Sequence, residues 1–256
     1  MTGPPQIFDR QVYRRRRGRA AGTDFLVREA GAQVAERLGT MSRDFQLALD
    51  LSSRQEAFEE LRDCAQCWFR TELAPAAGTL VADEEALPFR DASFDLVASV
   101  LSLHAVNDVP GALVQIRRAL KPDGLFIAAL FAGDSLKELR GAFARAESEI
   151  TGGITPRVAP FADVRDLGAL LQRAGFARPV ADAERTTVHY RELSTLLRDL
   201  KALGETNALH GRNPGILRRD LLASALTKYA ETNCDTEGRF CATFDIVYLT
   251  GWALSE

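Results

Sequence analysis

The sequence predicts an α/β fold with a parallel, doubly wound sheet. Three observations carry this. Phe45–Leu51, Phe94–Leu101 and Gly124–Phe131 are apolar runs of strand length, of the kind buried on both faces of a parallel sheet. Amphipathic stretches of helical length alternate with them. The chain has 256 residues and is 46% hydrophobic, enough for one large domain with a real core.

Composition narrows the function classes. The formal net charge is −3, which argues against a general nucleic-acid binder. No run of about 18 apolar residues exists, so no membrane-spanning helix is expected. The Arg-rich start lacks the apolar core of a secretory signal and carries Asp9 early, so a cytoplasmic protein is expected. Cys64 and Cys67 form C-A-Q-C, but Cys234 and Cys241 have six residues between them, poor spacing for zinc. His104, His189 and His210 make no evident facial triad with acids, so no metal is expected.

The chain opens with a basic run, Arg14 to Arg17, read either as a solvated helix face or as a contact with an acidic partner or cofactor carboxylate. Phe25 to Leu38 is a helix with Phe25, Leu26, Val34 and Leu38 on one stripe. The opening strand Phe45–Leu51 ends on Asp50 and leads through Ser52-Ser53-Arg54-Gln55 into a helix over 56–64. A strand, turn and helix early in an α/β chain make a place for a nucleotide-like ligand, yet this turn has no glycine. Ala65 to Leu73 is the next strand. Glu72 near its end either accepts bonds from ribose hydroxyls, as acids about 20 residues past the first turn often do, or is a surface carboxylate.

Thr79 to Asp83 is a third strand, followed by Glu84, Glu85 and the Leu87-Pro88-Phe89 loop. The 94–101 strand exits into Ser102, His104, Asn107 and Asp108. A helix is expected from Pro110 to Leu120, then a type I turn at Lys121-Pro122-Asp123-Gly124 and the 124–131 strand. Further on come a helix-like 134–149, a loop carrying Arg157 and a helix capped by Asp163 and ended by Gly175. A strand over 185–190, a Leu-striped helix over 193–203, a polar 205–214 loop, a helix from Ile216 to Tyr229 and a closing strand over 240–249 complete the chain.

The runs ADEEALPF (82–89), ASFDLVASVLSLHAVNDV (92–109) and RRALKPDGLF (117–126) resemble the core of class I S-adenosylmethionine-dependent methyltransferases in their methyltransferase type 11 form. IFDR near the start, LSLHAVND, the 154–176 run, GETNAL (204–209) and TFDIVYLTGW (243–252) extend the likeness over nearly the whole chain. They are similar to bacterial relatives of mitochondrial complex I assembly factor 5 and of the biotin-pathway malonyl-carrier-protein methyltransferase. The resemblance implies a Rossmann-like, seven-stranded, mostly parallel sheet with helices on both faces and helical lid insertions. It implies one domain over 1–256, with a core at about 40–132, 161–192 and 239–252 and lids at about 133–160 and 193–238.

It also implies S-adenosylmethionine as cofactor, held by Asp50, Leu51, Ser52, Glu72, Leu73, Asp83, Glu84 and Leu101, with Leu103 adding to the apolar wall. His104 is the candidate catalytic residue, or a strand-exit histidine bonded to backbone. Arg157, Tyr190 and Asn207 fall on segments expected to cover the site. Two departures stand out: the family turn is glycine-rich where this chain has Ser52-Ser53-Arg54, and Ala105 follows His104 where relatives tend to carry Trp. Two functions follow. One is methyl transfer to an unidentified small-molecule or protein acceptor. The other is a methyltransferase-fold protein with a degenerate cofactor turn, serving as a respiratory complex I assembly factor or an arginine-hydroxylase-like modifying enzyme whose partner is a respiratory-complex subunit.

Overall fold

The computed structural model describes residues 6–20 and 25–254. The outermost residues of the expected domain, 1–5 and 255–256, lie outside the described residues, as do 21–24. Seven strands form one sheet in the order β3-β2-β1-β4-β5-β7-β6. In chain order they are β1 (Phe45–Leu51), β2 (Ala65–Glu72), β3 (Leu80–Val81), β4 (Phe94–Val100), β5 (Leu120–Ala132), β6 (Ala177–Tyr190) and β7 (Phe240–Trp252). The first five run parallel, and β7 lies antiparallel between β5 and β6. This is the expected Rossmann-like α/β class.

Eight helices accompany the sheet among the described residues: α1 (Arg10–Arg17), α2 (Phe25–Gly39), α3 (Gln55–Leu61), α4 (Val109–Ala119), α5 (Lys137–Thr151), α6 (Val164–Arg173), α7 (Leu193–Leu203) and α8 (Arg219–Thr232). Apolar residues on both faces of β1, β4 and β5 explain the two large cores. Leu96, Ile127 and Phe244 belong to the core that includes α2, α5, α7 and α8 residues, and Leu49, Val97 and Phe126 to the core shared with α4 and α6. α7 has the bounds its leucines predict, and Gly204 ends it with a φ of 81°, a left-handed conformation that costs a glycine little.

The structure corrects four local expectations. Asp123 has a φ of 59°, so Pro122-Asp123 turns with the positive φ of a type II-like geometry, and the segment forms a bulge within β5 rather than a type I turn before it. β3 keeps only Leu80–Val81, with Asp83 bridging to Ala86 beyond it. β6 begins at Ala177 because it pairs with β7 along almost its whole length, a constraint invisible in its own pattern. Ile216 is 97% exposed and precedes α8, which starts at Arg219.

Candidate functional site

The carboxyl ends of β1, β2, β4 and the segment after β3 open onto one cleft, where open α/β sheets bind ligands. The β1–α3 turn is held from below. The Asp50 side chain accepts from the Ser53 amide (3.1 Å) and from Arg70 Nε (3.0 Å), its register partner on β2. The Ser53 hydroxyl accepts from the Val100 amide at 2.9 Å. Burial pushes the Asp50 carboxyl up to about 6, and the bonds from Ser53 and Arg70 oppose that rise only in part. Asp50 therefore supports the turn, as expected, but its carboxylate faces Arg70 rather than a ligand.

Of the turn residues, Ser52 adopts the left-handed conformation, with a φ of 58°, whereas Arg54 has an ordinary extended backbone at a φ of −65°. Only the first of these positions calls for glycine in this conformation. The Ser52 hydroxyl is also buried without a hydrogen-bond partner. Ser52→Gly is expected to stabilise the fold by about 1–2 kcal/mol: relief of a left-handed residue, worth roughly 1–3 kcal/mol, exceeds the entropy cost of glycine, roughly 0.5–1 kcal/mol. Denaturant unfolding measures this, and a less stable variant would refute strain at the turn.

The acids of the cleft are already bonded, by α1. Arg10, Tyr13 and Arg17 share one face of this helix, and Tyr13 and Arg17 are buried. Arg17 Nε donates to Glu72 at 3.0 Å, its Nη1 to the Leu101 carbonyl at 3.1 Å, and its Nη2 to the Ser52 carbonyl. Arg10 donates to Asp83 at 2.6 Å and to the fully buried Glu84, which also accepts from the Ser102 hydroxyl. Burial works against the Arg17 charge, but the carboxylates of Glu72, Glu205 and Glu84 more than compensate and hold it protonated. The expected residues Ser52, Glu72, Asp83, Glu84 and Leu101 thus do meet at one cleft, drawn together by two arginines of the same chain.

Leu51 and Leu73 stand differently. Leu51 is fully buried in the core that includes α4 residues, and Leu73 packs with Phe8, Val12 and Tyr13. Neither side chain reaches the cleft as expected of a cofactor contact, because the sheet interior and α1 cover them. Leu103 is likewise buried in the core beside Leu51 and makes no open wall.

Beside the cleft lies an apolar cavity of about 250 Å³, lined by Phe131, Leu139, Phe143, Phe161, Leu197 and Leu200 among others, with Tyr13, Glu205, Arg157 and Asn207 as polar lining. His104 is 8% exposed, with its ring edge-on to Phe131 at 5.0 Å between centroids. Its Nε2 lies 3.2 Å from Glu205 Oε2, a close contact outside good hydrogen-bond geometry. Tyr13 donates its hydroxyl to the other Glu205 oxygen at 3.0 Å. Burial pushes the Glu205 carboxyl up, but His104, Arg17 and Tyr13 prevail and leave it lowered, an ionised acid in an apolar surround. Burial and then Glu205 push the Tyr13 hydroxyl up, so it stays a proton donor.

The remaining expected residues divide. Arg157 lines the cavity, tied by Nε to the buried Glu147 at 2.8 Å. Asn207 lines it too, donating to the Pro156 carbonyl at 2.8 Å. Tyr190 does not line it. It sits in the main core at the end of β6, opposite Phe240. Sequence reasoning missed Arg10, Tyr13 and Glu205, and named Arg17 only within the basic run. Arg10, Tyr13 and Arg17 carry a signal, the i, i+3, i+7 spacing of one helix face, and Glu205 stands in the GETNAL segment.

Residues 45–128 match the family model of a methyltransferase domain. The YcgJ protein of Bacillus subtilis superposes with a TM-score of 0.59 at 14% identity, covering 87% of this chain and 98% of its own. Fold and cleft together define a methyltransferase-fold protein. Mouse mitochondrial arginine-hydroxylase NDUFAF5 is 40% identical over 265 residues, which cover 96% of this chain and 77% of the mouse protein. The malonyl-[acyl-carrier protein] O-methyltransferase of Methylovorus sp. is 32% identical over 279 residues, covering 98% of this chain and 92% of the enzyme. The chain belongs to the methyltransferase-domain family that these two relatives represent. Among the described residues, no helix is long and apolar enough to cross a membrane.

Proposed function

We propose that the chain is an S-adenosylmethionine-dependent methyltransferase acting on a small-molecule or protein acceptor, and that α1 must withdraw before the cofactor enters. One observation carries the reading. Glu72, Asp83 and Glu84 converge on a single cleft at the carboxyl ends of the strands, next to an apolar cavity. With Arg10 and Arg17 in place these acids cannot also receive a ribose and an adenine. The residues fit the cofactor with α1 displaced.

In that state Glu72 would take the ribose hydroxyls, and Asp83 and Glu84 the adenine side. The bound sulfonium would supply an electrophilic methyl group, and transfer depends chiefly on alignment with the acceptor. Tyr13 would leave with α1, so the Glu205–His104 pair would be the proton-handling group nearest the acceptor cavity, with His104 as its candidate catalytic member. Support for the donor comes from the family, and support for the acceptor side from the cavity's apolar walls and single ionised carboxylate.

A second reading rests on the same α1 contacts. With the cleft closed by its own arginines and a glycine-free turn, the chain would work without S-adenosylmethionine, as a protein-modifying or assembly partner of a respiratory-complex subunit. The name of the mouse relative is compatible with this role. Titration calorimetry with S-adenosylmethionine and S-adenosylhomocysteine separates the readings. One saturable site per chain is expected for the first. A flat titration with both ligands at millimolar concentration would sink it and leave the second.

A further inference from the structure

Away from the cleft, β6 and β7 end in a cluster that neither function uses. His189 and Cys241 are direct cross-strand partners in the antiparallel β6–β7 pair, so their side chains leave the sheet on one face. Cys241 Sγ lies 3.5 Å from His189 Nδ1. Asp235, in the hairpin loop between α8 and β7, places Oδ2 at 3.0 Å from the same Nδ1. The three ligand atoms all lie within 4.8 Å of one another. Donors arranged tetrahedrally around zinc at its usual bond lengths are roughly 3.3–3.8 Å apart, so small side-chain shifts complete the arrangement.

We propose that His189, Asp235 and Cys241 bind a divalent transition-metal ion of the zinc class. One imidazole, one thiolate and one carboxylate suit a borderline ion, whereas calcium and magnesium would want an all-oxygen set. The loop presents Asp235 firmly. Its Oδ1 accepts from the Glu237 and Arg239 amides at 2.9 and 2.8 Å, which leaves Oδ2 turned toward His189.

Arg239 also faces the cluster, with Nε donating to Asp235 Oδ2 at 2.8 Å, and it must yield to a cation. An alternative partner is at hand, since its Nη1 is already 3.3 Å from Glu237. On binding, the Cys241 thiol gives up its proton, and the imidazole proton shifts from Nδ1 to Nε2, so one proton is released per ion. Cys234 bridges to Phe240 rather than to Cys241, which directs its side chain to the other face. The fourth position is therefore left to water. His189, an exposed residue, keeps that side open to solvent. The ion would clasp the edge strand β6 to the hairpin that follows α8.

Cobalt(II) titration of the chelator-treated, full-length protein tests this. One equivalent should give a near-ultraviolet thiolate-to-cobalt absorption with tetrahedral visible bands, and zinc should displace it. Cys241→Ser should remove the thiolate band, and His189→Ala should weaken binding by more than the roughly 10–100-fold cost of losing even an outer-sphere partner. Cys64→Ser/Cys67→Ser should leave spectrum and affinity unchanged. No thiolate band in the wild-type protein, a band that survives Cys241→Ser, or one abolished by the Cys64/Cys67 change would each overturn the assignment. The wild-type titration and the exposed His189 variant keep the result decisive even if Cys241→Ser folds poorly.

Discussion

Replacing Arg17 with alanine is expected to lower the unfolding midpoint by about 6–20 °C. The side chain is almost fully buried and bonds Glu72 and two strand-end carbonyls, those of Ser52 and Leu101. Removing one member of a buried charge pair typically costs about 3–5 kcal/mol, because the other charge stays behind without a partner. For a domain of this size each kcal/mol shifts the midpoint by about 2–4 °C. Arg17→Met combined with Glu72→Leu should recover most of that loss, since both charges leave together and the site stays filled. Calorimetric melts of the two variants check the cycle. A loss under about 1 kcal/mol for the single change would show that the pair is not desolvated as the burial indicates. The same single variant frees Glu72 and the Ser52 carbonyl, so its affinity for S-adenosylhomocysteine should exceed that of the wild type. A weaker affinity would instead make Arg17 a contact of the ligand.

Stability is expected to rise, not fall, between about pH 7 and pH 5. The cause is Asp50. Its folded-state carboxyl titrates near 6 against an ordinary value of 3.8, chiefly through burial. The folded protein therefore keeps a proton that the unfolded chain has already released. The stabilisation is fully present below the ordinary value and is lost as pH rises through about 6, for a swing of up to about 3 kcal/mol. Asp235, Glu205, Glu147 and Asp245 are shifted the other way, so their contribution is lost only as pH falls below their ordinary values, near 4. The optimum should fall between about pH 4 and pH 6. Urea unfolding at three pH values measures the slope, and Asp50→Asn should flatten it. A wild-type stability that declines steadily from pH 7 to pH 5 would contradict a buried, partly protonated Asp50.

The sheet was legible because its interior strands are apolar on both faces. Phe45–Leu51 forms β1 as its pattern predicts, and Asp163 caps α6 by accepting from the Arg165 amide at 2.8 Å. The acids at the strand ends were legible as well, since position along an α/β unit singles them out. What covers them was not. A basic run reads as a solvated face unless the carboxylates opposite are known, and those lie 55 and more residues away from their arginines along the chain. Arg14 and Arg15 do face solvent, so that reading holds for half of the run and fails at Arg17. The polar 205–214 loop hid Glu205 in the same way, for nothing local says that this carboxylate turns inward toward His104. The His189–Cys241 pair depends on strand register, which is set by the sheet as a whole rather than by either strand alone.

The segment that leads into α1 is sewn to the 205–214 loop. Phe8 bridges to Leu209, the Asp9 amide donates to the Ala208 carbonyl at 2.8 Å, and the His210 amide to the Ile7 carbonyl at 2.8 Å. Phe8, Ala208 and Leu209 are also walls of the apolar cavity. The proposed withdrawal of Arg10 and Arg17 from the strand-end acids would therefore pull on the walls of the neighbouring chamber, and a molecule seated in that chamber would resist or assist it. Occupancy on the two sides would then be coupled through one short stretch of backbone, and such coupling is reciprocal: a ligand in the cavity would change affinity at the cleft by the same factor that a ligand in the cleft changes affinity at the cavity.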